Sequence, residues 1–206
     1  MNLPRTAIFI EPQGTLRTSL IERKKILELA MPGQAYTSHP PHSTLLFGEY
    51  GSPEIWTGKL RAAVNSLPPF RLATDAWQEF PNDLQAAGGH TVAYRVKLSP
   101  ELLRLQLTIA EVVAPFRESS SLQHPLADRE PFASSLKHFG FPFVGPHWIP
   151  HFTIGSPRLP ANDPLLASLM NGSPIHELHV NTISIWQVMA DHHNRLTELA
   201  LTGTAG

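Results

Sequence analysis

Two short stretches of this chain, HSTL at His42–Leu45 and HFTI at His151–Ile154, occupy matching places in a repeated order of elements. This repetition constrains the fold more than any other feature of the chain. Arg5 to Glu11 reads as a strand and Gly14 to Met31 as a helix. In that helix Leu16, Leu20, Ile21, Leu27 and the Ile26/Leu29/Ala30 group make the apolar stripe, with the charges elsewhere. His42 to Tyr50 is a second strand, Glu54 to Leu67 a second helix and Phe70 to Phe80 a third strand. Pro81 to Gly89 is a connector, and the pattern then begins again. Thr91 to Leu98 is a strand, and Ser99-Pro100-Glu101 starts a helix running to about Phe116. Arg117 to Pro146 is a long loop broken by prolines, with a short helix near Phe132 to His138. Trp148 to Gly155 is a strand and Asp163 to Met170 a short helix. Glu177 to Val188 and Arg195 to Leu201 are strands joined as a terminal hairpin through the turn ADHHN. Within the repeat, Ala7-Ile8-Phe9 aligns with Val92-Ala93-Tyr94.

This order predicts an α+β fold: a bilobal, duplicated domain over residues 1–206, its lobes formed by halves of approximately 1–85 and 86–206. Each lobe is expected to hold an antiparallel-rich sheet with helices outside, and the two sheets to line a central cleft. The 206 residues are 42% apolar, enough for a substantial core. Lys and Arg number 16 against 17 Asp and Glu, a balance that argues against wrapping long DNA or RNA. Cysteine is absent, which excludes disulfides, thiolate catalysis and Cys-ligated zinc. No apolar run approaches the ~18 residues of a membrane span. The run Thr6 to Ile10, ended by Glu11 and Pro12, is too short for a signal peptide. A cytoplasmic monomer without a cofactor is expected.

In a strand, residues i and i+2 share a face. His42 and Thr44 therefore project together, as do His151 and Thr153, while Leu45 and Phe47, and Phe152 and Ile154, point to the core. Two facing imidazoles suit acid–base chemistry on a phosphoryl group, because one can be neutral while the other carries a proton. Thr44 and Thr153 can donate to non-bridging phosphoryl oxygens. No metal is required. His39-Pro-Pro-His42 offers a metal pair too stiff and too poor in nearby carboxylates to favour that use. His192-His193 reads as a solvated turn, His138 and His147 as surface loop residues, and Trp148 and Trp186 stay outside the site. No Gly-x-Ser-x-Gly supports a serine nucleophile.

Paired His-x-Thr motifs in a duplicated α+β chain resemble the 2H phosphoesterase superfamily, within it the 2′-5′ RNA ligase and 2′,3′-cyclic phosphodiesterase group. The resemblance runs from Arg5 to Gly203 by order of elements, and ELHVNTISIWQV with RLTELAL resembles that family's closing hairpin. Two departures are the proline-rich Arg117–Pro146 segment and Gly155-Ser156-Pro157 standing before Arg158, where the family often has a basic residue soon after the second motif. The resemblance implies hydrolysis of a 2′,3′-cyclic phosphate on a nucleotide or RNA end, leaving a 2′-phosphate, with reversal toward 2′-5′ ligation. His42 and His151 would be catalytic, and Thr44 and Thr153 would bind the phosphate. A nucleotide- or RNA-end-binding module with little catalysis is the alternative, and a purely structural role ranks last.

Overall fold

The computed structural model describes residues 5–118, 124–189 and 193–204; His192, Ala190 and Asp191 of the hairpin turn, and part of the long loop, lie outside them. Eight strands and five α-helices follow one another along the described chain. They are β1 (Arg5–Ile10), α1 (Gly14–Ala30), β2 (Ser43–Gly48), α2 (Pro53–Asn65), β3 (Phe70–Asp83), β4 (Gly89–Val96), α3 (Pro100–Val113), α4 (Phe132–Phe139), β5 (His151–Gly155), α5 (Pro164–Leu169), β6 (His176–Val180), β7 (Thr182–Val188) and β8 (His193–Ala200). The strands form two four-stranded antiparallel sheets, ordered β2-β1-β7-β8 and β5-β4-β3-β6. The expected α+β architecture with two antiparallel sheets is what the chain adopts. Among the described residues no helix is long and apolar enough to cross a membrane.

Local chemistry accounts for the helix ends. Ser99 accepts a hydrogen bond from the Leu102 N–H with Pro100 in the first turn, and Asp163 does the same for Leu165 at the start of α5. Gly140, at φ 76°, closes α4.

The halves interlock. The connector 81–89 does not divide two lobes: β3 continues to Asp83, and a tight turn returns the chain as β4 in the same sheet. A hairpin between sequence neighbours wins over pairing within the first half. The division near 85/86 thus falls inside the second sheet. The other side of β1 is taken by β7, from the end of the chain. The stretch 177–188 is accordingly two strands, not one. The ladder breaks at Asn181, and the chain crosses from β6 in the second sheet to β7 in the first. The helices cross as well: α1 packs on β5 and β6, whereas α2 and α3 pack on β8 and β2.

Each motif strand carries a bulge immediately after its threonine. Phe9 faces Thr44 and Ile8 faces Leu46, so Leu45 is the extra residue; Ala93 faces Thr153 and Val92 faces Gly155, so Ile154 is. This register aligns Phe9 with Ala93, one residue away from the sequence alignment. The bulge also breaks alternation in β2. Leu45 and Leu46 are both buried, and Phe47 is left half-buried beneath the Arg5 guanidinium instead of entering the core.

Helix α1 departs further from its apparent stripe. Its buried residues are Leu16, Leu20, Lys24 and Leu27, while Ile21, Ile26 and Leu29 are exposed. Spacings of four and three residues keep the buried set on one face. Leu20→Ala is expected to cost about 2–5 kcal/mol. Ile26→Ala, at a side chain 47% exposed, is expected to stay within about 0.5 kcal/mol. Urea unfolding of both variants checks this orientation, and a larger loss at Ile26 contradicts it.

Candidate active site

β2 and β5 are edge strands of different sheets, yet they lie against each other. This contact brings the two His-x-Thr motifs to one place. His42 stands just before β2 and His151 opens β5, each half-buried, as are Thr44 and Thr153. All four residues singled out from sequence therefore belong to one region of the fold.

The two histidines are held in the same way. His42 Nδ1 lies 2.6 Å from the Pro40 carbonyl and His151 Nδ1 lies 2.8 Å from the Ile149 carbonyl, two residues back in each case. A carbonyl only accepts, so each Nδ1 carries the hydrogen and each neutral ring keeps its lone pair on Nε2. Pro41 and Pro150 occupy the intervening position. Proline fixes its own φ and biases the residue before it toward extended backbone, which helps to aim that carbonyl. An aromatic ring supports each imidazole: Phe9 stacks on His42 at 3.8 Å between centroids and 19° between planes, and Phe80 packs against His151 at 4.9 Å. Among the described residues, neither Nε2 atom and neither threonine Oγ1 has a hydrogen-bond partner within the protein. Two nitrogen lone pairs are thus free to accept a proton, and two hydroxyls are free to donate to an oxyanion from outside.

The surroundings favour neutral rings. Burial is the main cause that pushes His42 down to about 3; the Pro40 carbonyl opposes it, and Lys24, His39 and His193 add to it. Burial lowers His151 too, opposed by the Ile149 carbonyl and the Asp83 carboxylate. The two environments differ in sign, with the Lys24 ammonium near His42 and the Asp83 carboxylate near His151.

Several residues here were not legible in the sequence. Lys24 is buried below the motifs and donates to the Tyr36 and Ile154 carbonyls. Asp83 accepts from Thr91 Oγ1 at 2.7 Å and from the Tyr36 hydroxyl at 3.4 Å. Phe9 and Phe80 look like ordinary strand residues. No local motif marks any of these; a lysine on the apolar spacing of α1 was the one available signal. His193 is not simply a solvated turn residue: its ring lies 4.3 Å from that of His39, which also meets Tyr36. His39 is thereby engaged in ring packing, and burial lowers it to about 4. Trp148 is buried in the core. Trp186 is half-buried, 6.2 Å from Phe9, with its N–H donated to Ser184. His147 is tied to Ser135 and the Pro142 carbonyl within the long loop, while His138 is exposed.

Comparison with known proteins agrees with this fold. The family model of the 2′-5′ RNA ligase superfamily matches residues 18–192. No curated protein matches the chain. Among solved structures, TT0787 of Thermus thermophilus is similar with a TM-score of 0.63 at 16% identity, covering 98% of this chain and 100% of that one. E. coli LigT complexed with NADP+ is similar with a TM-score of 0.54 at 15% identity, covering 98% and 99%. LigT complexed with 3′-AMP has a TM-score of 0.53 at 13% identity over the same shares. At these identities the structures establish the fold.

The lowered imidazoles make stability depend on pH. Unfolded histidine titrates near 6.5. Below that value the unfolded chain takes up protons that His42 and His39 refuse when folded, so stability is lost as pH falls from about 6.5 toward their folded values. The urea midpoint is expected to drop between pH 7 and pH 5, and the double variant His39→Asn/His42→Asn to flatten that drop. An unchanged slope in the double variant would assign the dependence to other groups.

Proposed function

Because the chain belongs to the 2′-5′ RNA ligase superfamily, we propose that it is a metal-independent phosphodiesterase acting on 2′,3′-cyclic phosphate ends of nucleotides or RNA by two-histidine acid–base catalysis, with 2′-5′ ligation as the same transfer when a ribose 5′-hydroxyl takes the place of water. The observation that carries this reading is the pair of equivalent Pro-His-x-Thr strands, each histidine tied back through Nδ1, on two edge strands in contact.

In hydrolysis the Nε2 of one neutral ring takes a proton from water as it attacks phosphorus. The other ring, protonated, gives its proton to the departing ribose oxygen, leaving a 2′-phosphate. Thr44 and Thr153 donate to the non-bridging oxygens, where negative charge grows. A bound phosphate raises the pKa of an adjacent imidazole, supplying the charge that burial withholds. The surroundings favour His42 as the base, since Lys24 opposes its protonation, and His151 as the acid, since Asp83 favours its charged form. The same roles serve ligation, where the base takes its proton from a 5′-hydroxyl, and they exchange when a 2′-5′ linkage is cleaved back to the cyclic phosphate. The nucleotide-bound LigT structures support a nucleotide as the ligand class here.

Turnover of a nucleoside 2′,3′-cyclic phosphate, with and without a strong chelator, tests the proposal. His42→Ala and His151→Ala are each expected to lose ~10²–10⁴-fold in rate. Thr44→Ala and Thr153→Ala are expected to lose at most ~10²–10³-fold. The double histidine variant is expected to be little worse than either single one, since acid and base act in one transfer. Activity that disappears with chelator and returns with a divalent ion would contradict metal independence. A wild-type protein that binds the nucleotide without turning it over is a binding module instead.

A further inference from the structure

Lys24 occupies a place that the pattern of α1 reserves for an apolar side chain, and it is only 7% exposed. Its Nζ donates to the Tyr36 carbonyl at 2.6 Å and to the Ile154 carbonyl at 3.1 Å. Ile154 is the bulged residue directly after Thr153. Tyr36 belongs to the loop that leads into His42, and the same loop is bonded to the end of β5 through Ser156 N–H and the Ala35 carbonyl at 3.0 Å. The ammonium therefore ties the approach to the first motif to the strand of the second.

The first motif supplies an internal comparison. The carbonyl of its own bulged residue, Leu45, accepts from the Nε2 of Gln106 at 3.3 Å, and Gln106 is likewise fully buried on a helix from the other half of the chain. A neutral amide thus suffices to satisfy a bulge carbonyl in this fold. Burying a charge costs far more than burying an amide, and both hydrogen-bond acceptors of Lys24 are uncharged carbonyls. Its charge is felt by His39 and His42 on the loop, which His193 of β8 also faces, and Asp83 is bonded to the hydroxyl of the Tyr36 whose carbonyl Lys24 holds. Glu28, one turn along α1, is turned to Thr37 and the Gly33 N–H.

We propose that Lys24 is a positioning residue whose charge is used: from behind the motifs it ties the loop that leads into His42 to the strand of His151 and supplies the positive potential that draws a phosphoryl group between His42 and His151. The proposal rests on the two-histidine reading above. Burial lowers Lys24 to about 8, so its charge drains away just above neutrality, and anion binding is expected to weaken there.

The test compares the wild type with Lys24→Gln, which copies the Gln106 arrangement and removes only the charge, and Lys24→Met, which removes the donors as well. Inorganic phosphate is titrated while the ring NMR signals of His42 and His151 are followed, and cyclic-phosphate turnover is measured in parallel. In the wild type both rings are expected to respond, with affinity falling through pH 8. Lys24→Gln is expected to stay folded, bind phosphate about tenfold more weakly at pH 7, show no fall through pH 8, and lose about tenfold in kcat. Lys24→Met is expected to be weaker still; if it does not fold, Lys24→Gln decides. Phosphate binding and alkaline dependence in Lys24→Gln equal to the wild type overturn the proposal. A wild type that binds phosphate in a Lys24-dependent way but turns over no cyclic phosphate overturns the activity and leaves the role of Lys24 standing. Wild-type rings that ignore phosphate overturn both.

Discussion

A bulged residue leaves its carbonyl outside the ladder, and in a buried place that oxygen has to be bonded. Both motif strands have such a residue, and in both the donor is a side chain on a helix from the opposite half: Lys24 of α1 for Ile154, Gln106 of α3 for Leu45. Each helix must then lie on the sheet to which its own preceding strand does not belong. With the helices crossed, β3 and β7 cross as well, and the two edge strands that hold the histidines are held against each other. Gly155 completes the arrangement, since a Cβ there would clash with a Leu27 methyl carbon; a residue without one lets α1 approach so closely.

These crossings explain what the sequence shows and what it hides. Helix caps, proline breaks and apolar periodicity are local, so nearly every element is legible, including the short helix inside the long loop. Partner choice is not local. Nothing within Phe70–Phe80 says that it pairs with the following strand rather than with β1. Nothing in ELHVNTISIWQV announces that the two sides of Asn181 serve different sheets. The bulges hide for a related reason: HSTLLF reads as plain alternation, and the extra residue becomes visible only against its partner strand. Lys24 conceals itself by composition. The apolar residues Ile21, Ile26 and Leu29 draw the stripe toward solvent, whereas the buried face is set by α1 packing on β5 and β6.

The candidate site residues were legible for the opposite reason: duplication displays them twice. His42 with Thr44 and His151 with Thr153 stand out because two unrelated places in the chain share one pattern, and a proline precedes each histidine. The hydrogen bond from Nδ1 to the carbonyl two residues back adds the physical content. It is a short-range contact written into the order X-Pro-His, and it settles which nitrogen faces outward without help from the rest of the fold. Phe9 and Phe80 lie outside any such pattern, because ring packing on the imidazoles depends on β1 and β3 arriving beside the motifs.

The surroundings favour the neutral form of both imidazoles, yet acid–base transfer between two rings requires one proton on the pair. On the two-histidine reading that proton is taken up with the substrate, because a phosphate between the rings favours the imidazolium it touches. The placement of the lysine follows from this coupling. An ammonium inside the cleft would pair directly with the phosphate and compete with both rings and both threonine hydroxyls for its oxygens. Beneath β5, bonded to two carbonyls, it contributes potential without occupying a ligand position. It also bears more heavily on His42 than on His151, where Asp83 acts in the opposite sense. Two strands that are nearly equivalent in sequence thus meet surroundings that are not duplicated and that act on their imidazoles in opposite senses; on the two-histidine reading, this difference is what would let a symmetric pair of motifs run a reaction that needs one acid and one base.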